Sequence, residues 1–156
     1  MTVGNRMLRF RCHTKGVDAV KVNLVVAARD FEHDPSTNDF NIIGVVGEAV
    51  PRALPGFLPA LNIILFCEAD VTEVGKERFI EISLVYADGE LQAKWYDTYT
   101  IQPPRRPGER AFFAPIFHLP EVPFSKPGNY AFSINVDGDH KNSLPFYVHP
   151  PQTNES

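Results

Sequence analysis

The chain has 156 residues, of which 44% are hydrophobic, with fourteen prolines, ten glycines and a formal net charge of -4. That length fits one domain able to bury a core without disulfide or metal staples. The mild negative charge sets up no field to draw in nucleic acid or anionic lipid, and the longest apolar stretch, 58–67, is too short to span a bilayer and is interrupted by Pro59 and Asn62.

Residues 1–16 carry Arg6, Arg9 and Arg11 without apolar periodicity, and are expected to be a flexible basic arm that starts at Met1 or Met7. No apolar segment follows these arginines, as a secretion signal would require. Cys12 and Cys67 lack metal-ligand spacing, and two cysteines make no disulfide framework, so a reducing, cytoplasmic setting is expected.

A single domain is expected over 17–149. Val20, Val22, Leu24 and Val26 alternate with Lys21 and Asn23, which predicts a half-buried strand over 19–29. A polar connection over 30–41 holds Asp34-Pro35 and Asn38-Asp39, both turn formers. The short strand predicted over 42–50 contains Gly44 and Gly47, marks of a bulge or a close backbone approach. A proline-rich apolar loop, 51–59, leads to a strand over 61–68. That strand is apolar on both faces at Ile63, Ile64, Leu65 and Phe66, as expected where both sides are covered.

Alternation over 78–86 and 91–101, joined by Asp88-Gly89, predicts a hairpin. Leu91, Ala93, Trp95, Tyr99 and Ile101 share its inward face, and Asp97 interrupts that face, which places a bulge nearby. A loop of prolines, arginines and glycine spans 103–109. The aromatic strand predicted over 111–119 carries Pro115, which assigns it to an edge or a bulge. A connection over 120–128 precedes the alternating strand 130–136. Asp137-Gly138 then turns the chain into a closing strand over 144–148, and 150–156 is expected to be a flexible tail. About eight strands, with no capped apolar helical stripe, predict an all-β fold: an antiparallel two-sheet sandwich, immunoglobulin-like.

The C-terminal third reads Leu119-Pro120, Val122-Pro123-Phe124, Pro127-Gly128-Asn129-Tyr130, Phe132, Val136-Asp137-Gly138 and Leu144-Pro145-Phe146-Tyr147-Val148. With the strand 20–28 leading into Ile42-Ile43-Gly44, this resembles a family of small bacterial β-sandwich proteins of unassigned function. The resemblance covers about 20–148 and its motifs are turn and core chemistry. It implies a fold and carries no catalytic residue across.

The five histidines (His13, His33, His118, His140 and His149) show neither cupin nor zinc spacing. Ser36, Ser83, Ser125, Ser133 and Ser143 sit in turn or strand contexts, none in a nucleophile elbow. Asp30, Glu32, Asp34 and Asp39, and separately Asp137 and Asp139, are either a calcium site or solvated turn residues, and turn chemistry is the simpler account. Glu77 with Glu81, or Glu68 with Asp70, would be arbitrary choices for a hydrolytic carboxylate pair. Trp95 and Tyr99 point inward, leaving Tyr96 as a lone outward aromatic, too little for a sugar platform. No catalytic residue, metal or cofactor is expected.

Two loops remain as candidate partner contacts. One holds Arg52, Leu54 and Phe57 in a proline-stiffened segment, where apolar residues either form a pre-ordered patch or plug one end of the sandwich. The other holds Arg105, Arg106 and Arg110, where guanidinium groups either grip a carboxylate or phosphate or keep the neighbouring strand soluble. The function expected is a non-catalytic protein-interaction or scaffolding module, or else a small-ligand or carbohydrate-binding one. A protein partner is expected, with homo-oligomerisation through a sheet edge, and with neither nucleic acid nor membrane as a partner.

Overall fold

In the computed structural model residues 19–37 and 39–152 are described. The expected basic arm, Cys12 and His13 lie outside them. The alternating segments form ten strands: β1 (Val20–Asp34), β2 (Asp39–Val45), β3 (Glu48–Ala49), β4 (Gly56–Ala69), β5 (Glu77–Tyr86), β6 (Leu91–Thr100), β7 (Ala111–Phe113), β8 (Ile116–Phe124), β9 (Gly128–Val136) and β10 (Asp139–Val148). Among the described residues the one helical element is a short 3-10 turn, Val71–Glu73.

The first sheet has the order β2-β1-β4-β7, with β8 also bonded to β4, and the second has the order β3-β10-β9-β5-β6. The ladders are antiparallel except where β3 lies parallel to β10. Period-two alternation turns Val25, Ala27, Leu61, Ile63, Leu65 and Cys67 of the first sheet toward Ile80, Ile82, Leu84, Phe132, Ile134 and Phe146 of the second. Each Val, Leu, Ile or Phe among them, fully buried, contributes about 1.5–3 kcal/mol, so the interface between the sheets is the main source of stability.

Several expected boundaries are corrected. The connection predicted over 30–41 is mostly strand, because Asp30 pairs with Ile43, Glu32 with Asn41 and Asp34 with Asp39. Polar side chains there face solvent while the backbone ladder continues beneath them. The connection predicted over 120–128 is strand as far as Phe124, through Pro120 and Pro123. Prolines fit because β8 is bonded to β4 on one side only. The aromatic strand breaks at Ala114-Pro115 into β7 and β8, which pair with opposite parts of β4. The bulge expected near Asp97 lies instead at Leu84/Val85. Asp97 is exposed, opposes Ile80 in register and accepts the Thr98 N–H at 2.8 Å. Leu91, beyond the shifted register, is exposed rather than inward.

One corner is closed by a tyrosine. Tyr130, 3% exposed, donates its hydroxyl to Lys126 O at 2.6 Å and accepts from Lys126 N–H at 3.2 Å. The same turn needs Gly128, whose φ of 135° few side chains adopt, and where a Cβ would come 2.5 Å from Tyr86 Oη.

Candidate functional site

The long β1 serves two partners in turn. Up to Ala28, opposite Asn62, it pairs with β4, and from Asp30 onward with β2 alone. Gly44, at φ 70°, lies against Arg29 where the two courses separate, and a Cβ there would stand 3.3 Å from Arg29 Cδ. A left-handed residue at this point lets the hairpin bend. A straight strand from Leu24 to His33 would span roughly 30 Å. Yet Leu24 is the partner of Phe66, and the ring of Phe40, opposite His33, lies 5.7 Å from the Phe66 ring. The β1–β2 hairpin therefore curls back over the outer face of the first sheet.

Its tip is held by an Asx turn. Asp34 Oδ1 accepts the Ser36 N–H at 2.9 Å and the Ser36 hydroxyl at 2.7 Å, and these bonds hold the carboxyl below its ordinary range. Asp34 is thereby engaged in turn chemistry, and no group of three or more His, Cys, Asp or Glu among the described residues is placed to hold a metal ion. Arg105 Nη2 donates to Ser36 O at 3.4 Å, so the tip meets the loop that precedes β7.

Between hairpin and loop lies a cleft of about 520 Å³, lined by His33, Phe40, Arg105, Arg110, Phe112 and Ile116 among others. His33 and Phe40 stack with ring centroids 4.5 Å apart, and Phe112 is 65% exposed along the wall. Arg110 reaches Glu68 Oε2 from Nε at 3.3 Å and Asp70 Oδ1 from Nη1 at 3.6 Å. Its Nε and Nη2 are enclosed and make no hydrogen bond among the described residues.

The six candidate contact residues do not form one surface. Ala69 at one end of β4 pairs with Ala111, next to the arginine loop, while Gly56 at the other end pairs with Phe124, next to the proline loop. Arg105 and Arg110 line the cleft, and Arg106 stands outside it, 3.8 Å from Glu109. Leu54 packs against the core, whereas Arg52 and Phe57 are exposed. A second, larger crevice of about 720 Å³ lies at the hairpin's base, lined by Arg29, residues 45–50 and residues 58–61. Aliphatic groups and backbone dominate it, with Arg29 beside Gly44 and Glu48 3.0 Å from His149 Nε2.

Sequence reasoning missed His33, Phe40 and Phe112. Gly44 was the only local signal of the bend that gathers them. His140 lies with Nδ1 3.1 Å from Ser133 Oγ and Nε2 3.3 Å from Ser143 Oγ. Hydroxyls occupy both ring nitrogens, leaving neither for the carboxylate that orients a catalytic imidazole. Of the aromatics, Tyr99 stacks on Phe113 at 5.0 Å, Trp95 packs near Phe132 at 6.5 Å, and Tyr96 is 65% exposed. Burial pushes the Cys67 thiol up to about 12, which makes it inert as a nucleophile.

The model of a family of unknown function (DUF6941) matches residues 24–149, and the chain belongs to that family. Curated proteins give no match. Among solved structures the fold is similar to Pseudomonas fluorescens alkylpurine DNA glycosylase AlkC bound to DNA containing an abasic site analog. The identity is 12% and the TM-score 0.48, over 85% of this chain and 31% of that one. This chain thus spans about a third of that protein's length. The expectations of a protein partner, of a sheet-edge homo-oligomer and of no nucleic acid are corrected here. The structural neighbour is a DNA-bound protein, and nothing among the comparisons points to a protein partner. At that TM-score the likeness assigns this chain no ligand of its own. No described helix is long and apolar enough to cross a membrane.

Proposed function

We propose that this member of the family is a non-catalytic small-ligand-binding module whose ligand lies beneath the β1–β2 hairpin. The observation that carries the reading is the cleft of about 520 Å³ between hairpin and arginine loop. Small-molecule sites fall in the range of roughly 300–1,000 Å³ and combine apolar walls with a few placed polar groups. Here His33, Phe40 and Phe112 supply walls, and Arg105 and Arg110 supply donors. The scaffolding expectation rested on six loop residues, and their separation along β4 makes the cleft the better-supported surface. We take the architecture as immunoglobulin-like, for which the Tyr130 corner is support. A bacterial cytoplasm is the proposed setting, and the buried free thiol of Cys67 suits a reducing compartment.

A fragment library screened by thermal shift tests the reading. A ligand at 100 times its Kd stabilises the folded state by about 2.7 kcal/mol. Hits are expected to raise the melting temperature of the native chain and to lose most of that effect in Phe112→Ala, a change at an exposed wall residue that leaves the core intact. Equal stabilisation of both proteins would reject the cleft as the site.

A further inference from the structure

From the arginine chemistry of the cleft, and resting on the proposed reading of it as a ligand site, we infer that the ligand is a flat aromatic acid bearing a single carboxylate. Arg110 is the first ground. Nε faces Glu68 at 3.3 Å and Nη1 faces Asp70 at 3.6 Å, and neither contact is a hydrogen bond. A guanidinium so loosely engaged at the cleft wall keeps a charge-assisted hydrogen bond to offer a ligand's anionic oxygen. Arg105 is the second ground. Its hydrogen bond to Ser36 O, at 3.4 Å, is long for an N–H donor, so its fork keeps donors to spare for a carboxylate in the same cleft.

The carboxylate is favoured over a phosphate by the surrounding charge. Arg105 and Arg110 share the cleft with Glu109, which lies near Arg106, and Arg110 already faces Glu68 and Asp70. The cleft's two guanidinium groups against these three carboxylates leave no positive excess, so recognition rests on hydrogen-bond geometry and a second ligand charge would be repelled. The body of the ligand follows from the walls. The stacked His33 and Phe40 pair and the exposed Phe112 ring offer aromatic surface, and a fused bicyclic ring fits within about 520 Å³.

The test is an amide-resolved NMR titration of the full chain with 1-naphthoate, with the neutral isostere 1-naphthamide and with 1-naphthyl phosphate. Naphthoate is expected to shift the amides of Phe40, Arg110 and Phe112 saturably, at least tenfold more tightly than either of the other two. Arg105→Gln, at an exposed position, is expected to bring naphthoate down to the affinity of the amide. Equal binding of acid and amide, or an unchanged acid affinity in Arg105→Gln, would overturn the anion inference and leave the cleft reading in place. Tighter binding of the phosphate would overturn the choice of carboxylate. Shifts outside the cleft, or none with any probe, would overturn the cleft reading as well.

Discussion

Tyr130→Phe removes one oxygen from the centre of the β8–β9 corner and leaves the ring in place. The ring packs edge-on against Tyr86 at 4.9 Å and Phe124 at 5.1 Å, and those contacts survive the change. What is lost is the bond donated to Lys126 O at 2.6 Å and the one accepted from Lys126 N–H at 3.2 Å. A hydrogen bond contributes about 0.5–1.5 kcal/mol net, and a buried group left unpaired costs about 1–3 kcal/mol. The Tyr130 hydroxyl sits in a residue only 3% exposed, so water replaces it poorly. Two bonds lost from one backbone unit give an expected cost of about 2 kcal/mol. In urea, with a slope of roughly 1.5 kcal/mol per molar for a domain of this size, the midpoint falls by about 1.3 M at unchanged slope. Tyr147→Phe, at an exposed tyrosine for which no hydroxyl bond is seen among the described residues, serves as the control and should leave the midpoint within error. A loss below about 0.5 kcal/mol in Tyr130→Phe would refute the argument that this corner is locked by the hydroxyl.

Gly128→Ala should destabilise by about 2–3 kcal/mol, because it combines a strained φ with a Cβ 2.5 Å from Tyr86 Oη. Adding Tyr86→Phe should recover part of the loss, and strict additivity in denaturant melts would exclude the clash as a cause. Phe40→Ala should lower hydrogen-exchange protection of residues 30–45 while leaving β9 and β10 unchanged, since the Phe40–Phe66 contact ties the hairpin to the sheet. Uniform loss of protection would mean that the hairpin is part of the global unfolding unit. The folded state holds the Cys67 proton more tightly than the unfolded chain, whose thiol titrates near 9.0, against about 12 when folded. The resulting stability is fully present below pH 9.0 and is lost as pH rises toward 12. Over that window the native chain should lose stability more steeply than Cys67→Ala, by about 1 kcal/mol per pH unit. Parallel pH profiles would refute the buried thiol as the source.

Local chemistry was enough for the strands that make the core. Ile80, Ile82 and Leu84 alternate with Glu81 and Ser83, and the Asp88-Gly89 and Asp137-Gly138 turns were each readable within a few residues. That works because side-chain alternation and turn conformation depend on neighbours along the chain. The same local rules failed at 30–41, where polar side chains hide a hairpin whose ladder is purely backbone. They also failed at 120–124, where prolines are tolerated because β8 has a free edge, a property of sheet order and not of sequence.

The arginine loop was legible as a candidate because arginine and proline types state their chemistry outright. Its relation to the second loop was not. Only the course of β4 shows that Arg52 and Phe57 lie near one end of a long strand, with Arg105 and Arg110 near the other. The sequence by itself determined the all-β class, the inward faces of β5 and β9 and the tight turns, since each is decided by periods of two and by single-residue conformations. The tertiary structure alone decided that the β1–β2 hairpin bends at Gly44 and brings Phe40 over Phe66, and His33 and Phe40 beside Arg105 and Arg110. A turn at one left-handed residue, carried along the length of a hairpin, decides which distant side chains meet, and no local pattern records that sum.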